Sequence, residues 1–85
     1  MYYVSVFKNK NAGKSYIEYS EDESKERLKL HNLGKIKETE NQVPFKLVYY
    51  KAYKSKEEAI HRYNSLKLYG NAWAQLKRRI RESLK

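Results

Sequence analysis

Tyr16, Arg27 and His31 are the residues of this chain whose types and spacing could do chemistry together. Arg27 and His31 stand four apart in the segment Glu23 to Leu33, so on a helix they share one face and can point at a single anionic group. A phosphate is the natural first candidate. The plainer alternative is structural: Tyr16 as a packing residue of a tyrosine-rich strand, and Arg27 on a solvated helix face, paired with Glu23 for about 0.3 to 0.5 kcal/mol.

The chain that must position these groups has 85 residues, enough for one small domain spanning 1–85. Lys and Arg outnumber Asp and Glu by 19 to 10, an excess that concentrates polyanions near the surface before any specific contact forms. Nucleic acid is the leading partner, DNA ahead of RNA. Without cysteine there is no disulfide framework and no thiolate zinc site, which is compatible with a reducing, cytoplasmic setting. No apolar run approaches the roughly 20 residues of a membrane span, and Met1 to Phe7 lacks the basic start of a secretion signal. A soluble monomer is expected.

Tyr2 to Phe7 and Ser15 to Tyr19 are rich in aromatic and β-branched residues, and Asn9 to Lys14 between them is turn material, so an antiparallel hairpin is predicted. Ser20 and Glu23 fit a Ser-x-x-Glu capping box for a first helix near Asp22 to Leu33, stopped by Gly34. Gly34 to Pro44 reads as a mobile surface loop. Phe45 to Tyr53 reads as the longest strand, apolar at both parities as a sheet centre would be. Ser55 with Glu58 caps a second helix through Ala59, Ile60, Tyr63 and Leu66, ended by Gly70. Asn71 caps a third, with Trp73, Leu76, Ile80 and Leu84 as its apolar stripe and Lys77, Arg78, Arg81 and Lys85 opposite. The order is ββαβαα.

Five segments, in this order and spacing, resemble the small stand-alone GIY-YIG nuclease domain over essentially the whole chain: Tyr2 to Val6, Gly13 to Tyr19, Arg27 to Asn32, Pro44 to Tyr50, and Lys56 to Ala59. The resemblance implies an α/β (α+β) domain with a three-stranded antiparallel sheet flanked by three helices. It also implies two hairpin tyrosines, an arginine and a histidine of the first helix, and a cation-holding glutamate of the second helix around a scissile phosphate. Such chemistry needs an oriented water, a cation on the phosphate oxygens and a fixed positive group. Carried over position by position, Tyr16 is the second tyrosine, Arg27 the arginine and His31 the histidine.

Three positions depart from the pattern, and the active site is read as degenerate. Ser5 stands at the first tyrosine, too short to reach and too weakly acidic to act as a phenol would. Glu18 stands at the glycine of the second motif, adding bulk and negative charge on the strand face of Tyr16. Tyr63 stands at the glutamate, and a phenol is a poor magnesium ligand. Glu57 and Glu58 project away from Tyr63, which leaves Glu18 as the one candidate carboxylate for a metal. Tyr63 is expected to plug the vacated place or pack inward, His61 to lie on the surface, and Trp73 to join the core.

No cofactor follows from the residues themselves; magnesium or manganese is implied if the domain cleaves. Lys35, Lys37, Lys77, Arg78 and Arg81 are the candidate nucleic-acid contacts, against which Glu38 and Glu40 set negative charge near the groove. Three functional readings follow in order: a nucleic-acid-binding domain with impaired or absent hydrolysis, a metal-dependent endonuclease with a rearranged site, and a protein-interaction or inhibitor module using Tyr2, Tyr50 and Tyr69.

Overall fold

The computed structural model describes residues 1–85. The elements are β1 (Tyr2–Asn9), β2 (Ser15–Ser20), α1 (Ser24–Asn32), β3 (Phe45–Tyr53), α2 (Lys56–Leu68) and α3 (Gly70–Arg79), in the predicted order. The three strands form one antiparallel sheet, β2-β1-β3.

The hairpin closes because Asn9 bends its side chain back along the chain: its Oδ1 accepts from the N–H groups of Asn11 and Ala12. Gly13 then takes φ 73°, which a side chain would resist. β1 lies at the sheet centre, not β3 as its apolar sequence suggests. β3 is the longest strand at nine residues but lies on an edge. Apolar residues at both parities report burial on both faces, and that is independent of hydrogen bonding on both sides.

The faces separate cleanly along β1. Val4 and Val6 pack with Ala59, Leu66 and Leu76 from α2 and α3, and Trp73 and Ile80 lean against that cluster. Ser5 and Phe7 turn the other way, toward α1, where Phe7 and Phe45 enclose the His31 ring at centroid distances of 4.8 and 5.7 Å. Burying each such apolar side chain contributes roughly 1.5 to 3 kcal/mol.

Ser55 caps α2 as predicted, its Oγ accepting from the Glu58 N–H at 3.2 Å. The capping box expected at α1 is absent. Glu23, not Ser20, is the N-cap and makes no side-chain cap bond. Ser20 still belongs to β2, and its hydroxyl accepts from the Asp22 N–H at 2.9 Å. α1 therefore starts two residues later than expected and stops at Gly34, which takes φ 72°. Gly70 opens α3 instead of closing α2, and Asn71 lies inside that helix. One extended residue, Tyr69 (φ −116°, ψ 109°), ends one helix and begins the next, so the corner needs no left-handed glycine.

Gly34 to Pro44 is a surface segment, as expected, with Lys35, Lys37, Glu38, Glu40, Asn41, Gln42 and Pro44 exposed, but it is anchored where Thr39 turns inward. The Gln42 N–H bonds the Thr39 carbonyl at 2.9 Å, and the Asn32 side chain grips the backbone of Phe45 in both directions at 2.7 and 3.0 Å. Thr39 is fully buried. Its partner is a ring that composition cannot show to be inside.

Candidate functional site

Antiparallel register decides which side chains meet. Ser5 pairs with Glu18 and Phe7 with Tyr16, so all four project from the α1 face of the sheet. α1 crosses that face and brings Arg27 and His31 down onto Glu18. Arg27 donates from Nε to Glu18 Oε1 at 2.7 Å and from Nη2 to Oε2 at 2.8 Å, a bidentate pair. His31 Nε2 lies 3.1 Å from the same Oε2, and His31 Nδ1 lies 2.7 Å from the Thr39 hydroxyl. The Glu18 residue is 8% exposed and His31 0%.

Protons follow from these partners. A carboxylate only accepts, so Nε2 carries the imidazole hydrogen and Nδ1 accepts from the Thr39 hydroxyl. Burial pushes the His31 pKa below its ordinary value, outweighing the opposing pull of Glu18. The hydrogen bonds to Glu18 raise that of Arg27. Burial, followed by the charges of Glu18 and Glu38, raises that of Tyr16 and keeps its phenol protonated at neutral pH.

The three residues singled out in the sequence are thus brought together, but on two levels. Tyr16 and Arg27 line a cleft of about 300 Å³ along the β2 edge, shared with Glu18, Glu38 and Tyr63. His31 lies beneath it, its ring 5.5 Å from that of Tyr16 and closed to solvent. Tyr63 reaches the cleft from α2, half-buried against the core, with Lys67 Nζ 5.4 Å from its ring centre. Ser5 does not reach the cleft. It is 1% exposed and bonds Ser24, Oγ to Oγ, at 2.6 Å.

The family model of the GIY-YIG catalytic domain matches residues 1–79. The chain belongs to the GIY-YIG family. Among curated proteins and among solved structures, nothing matches it. No helix of this GIY-YIG domain is long and apolar enough to cross a membrane.

Two departures from the family pattern become one in three dimensions. Ser5 and Glu18 face each other across the β1–β2 ladder, where the pattern has a tyrosine opposite a glycine. This chain sets a small residue opposite a large one at this pair.

A divalent cation does not fit this cleft as built. Both Glu18 oxygens are engaged by Arg27 and His31, and Tyr63 offers a neutral phenol. Glu38 is the only other carboxylate lining the space, and it is exposed.

Lys35 and Lys37 lie on the turn that carries Glu38, Lys77 and Arg78 in the last turn of α3, and Arg81 just beyond it; all are exposed. The structure does not gather these five onto the cleft. His61 is exposed, as expected.

Sequence reasoning missed Thr39. Its only signal is that it lies in a polar segment, where threonine is ordinary. Thr39→Val removes the hydrogen that His31 Nδ1 accepts and should cost about 1 to 3 kcal/mol, the penalty of an unsatisfied buried group. Urea denaturation measures it. An unchanged midpoint would mean that Nδ1 has another donor.

The depressed His31 pKa also sets a pH dependence. An unfolded imidazole titrates near about pH 6.5, and the folded one lower. As pH falls through that unfolded value, the unfolded chain takes up a proton that the native ring refuses, so stability falls there and rises with pH across the same window. Urea midpoints should therefore drop from about pH 6.5 downward, and His31→Phe should flatten the drop. Equal slopes in the two proteins would remove His31 from the explanation.

Proposed function

We propose that this GIY-YIG domain binds nucleic acid, DNA ahead of RNA, as a monomer, with phosphodiester hydrolysis impaired or absent. The carrying observation is the buried Glu18 carboxylate held by Arg27 and His31. By family resemblance these are the groups that would face the phosphate, and an internal anion now takes their donors. Tyr16, with its pKa raised, is a poor proton acceptor at neutral pH. Support for binding comes from the nuclease-family fold and the formal charge of +9.

Purified protein incubated with supercoiled DNA, single-stranded DNA and RNA, in magnesium and then manganese, tests the hydrolytic half. No nicking is expected, while fluorescence anisotropy should report binding that weakens steeply with salt. Cleavage that disappears in Arg27→Ala would reverse the reading in favour of an active endonuclease.

A protein-docking role draws on Tyr50 and Tyr69, which are 54% and 65% exposed. Tyr2 packs against the core cluster, so the three tyrosines do not form one free face.

A further inference from the structure

Away from the cleft, the end of the sheet that carries the β1–β2 turn concentrates positive charge. A hollow of about 440 Å³ there is lined by Lys8, Lys10, Lys46 and Lys85 with the turn residues between Asn9 and Gly13. A second, of about 390 Å³, shares Asn9 and Asn11 and adds Lys14 with the amides of Asn41 and Gln42. No acidic side chain lines either hollow. Of the five lysines only Lys85 has a side-chain ion pair, with Glu82 at 2.9 Å.

Lys8 donates to the Leu84 carbonyl and Lys46 to the main-chain oxygen of Lys85, which fastens this turn beside the hairpin. An ammonium has three donors, so each keeps hydrogen-bonding capacity for a ligand. The family cleft has the opposite balance, with Arg27 set against Glu18 and Glu38. A phosphodiester chain is attracted to the first place and repelled or unrewarded at the second.

We propose that this hairpin end is a phosphodiester-binding surface, at which Lys8, Lys10, Lys14 and Lys46 hold the backbone of a nucleic-acid strand. The proposal rests on the nucleic-acid reading above and moves the principal contacts off the cleft. The exposed Asn11, Asn41 and Gln42 side chains beside the lysines supply donors and acceptors for sugars or base edges.

The test is anisotropy at two salt concentrations with a fluorescein-labelled single-stranded DNA, the same sequence as RNA, and the DNA duplex; the probe that binds identifies the source of the phosphodiester. The combined variant Lys10→Ala, Lys14→Ala, Lys46→Ala should lose about tenfold or more in affinity and flatten the log affinity against log salt slope by about 2 to 3. A control with the same charge loss on other surfaces, Lys25→Ala, Lys29→Ala, Lys54→Ala, should lose far less. Amide chemical shifts verify that each variant is folded, and in the unchanged protein the probe should move those of the hairpin turn. Equal losses in the two triple variants would overturn the hairpin-end surface and leave nucleic-acid binding standing. Failure of the unchanged protein to bind any probe would remove both.

Discussion

A variant carrying Ser5→Tyr, Glu18→Gly and Tyr63→Glu is expected to nick supercoiled plasmid in magnesium at a rate about 100-fold or more above the unchanged protein. The three changes act on one site. Removing the Glu18 carboxylate frees both donors of Arg27 and the Nε2–H of His31 for a substrate oxygen. A carboxylate at residue 63 restores an oxygen ligand on the far wall of the same cleft. Tyrosine at residue 5 then has the space Glu18 vacates across the strand pair.

The single changes should fail for identifiable reasons. Tyr63→Glu alone adds a carboxylate to a cleft whose arginine is still engaged. Ser5→Tyr alone forces a ring into a position that is 1% exposed, which overpacking prices at about 1 to 3 kcal/mol of stability. The assay is run in the cold with circular dichroism as the fold check. A folded triple variant that shows no nicking in magnesium or manganese would mean that the carboxylate clamp is not what separates this domain from catalysis.

Glu18→Gln is expected to lower stability by about 2 to 4 kcal/mol, a large share of the roughly 5 to 15 kcal/mol typical of a domain. The amide is nearly the same size, so packing is kept and only charge and donor pattern change. Arg27 and His31 present three N–H donors to this carboxylate, and an amide that accepts through one oxygen leaves at least one of them opposed by another donor. Breaking a fully buried pair costs about 3 to 5 kcal/mol, and the 20% exposure of the Arg27 side chain places this case lower. Urea denaturation gives the number. Adding Arg27→Met to Glu18→Gln should recover most of the loss, because the uncompensated guanidinium goes with it. A wild-type midpoint in Glu18→Gln would show that the pair contributes nothing net.

These expectations depend on contacts of very different legibility. The hairpin, the order ββαβαα, the Ser55 cap and the Trp73 to Ile80 stripe follow from local periodicity and turn chemistry, which short windows carry. The failures were local too. Ser20 fits a capping box but is still extended in β2, and Gly70 looks like a stop where one extended Tyr69 suffices to turn the corner. Local signals name a turn without deciding which of two adjacent residues makes it.

The chain by itself determined that Arg27 and His31 share a helix face, that Glu18 shares a strand face with Tyr16, and that the expected cation ligand is a phenol. Only the tertiary structure decided that these two faces are the same place. Glu18 and Arg27 pair because strand register aims one upward and the crossing of α1 aims the other down. His31 is inside because Phe7, Tyr16 and Phe45 surround it. Distance along a chain does not encode the sign of a local field, and the packing of α1 on the sheet is what placed the carboxylate where its charge is cancelled.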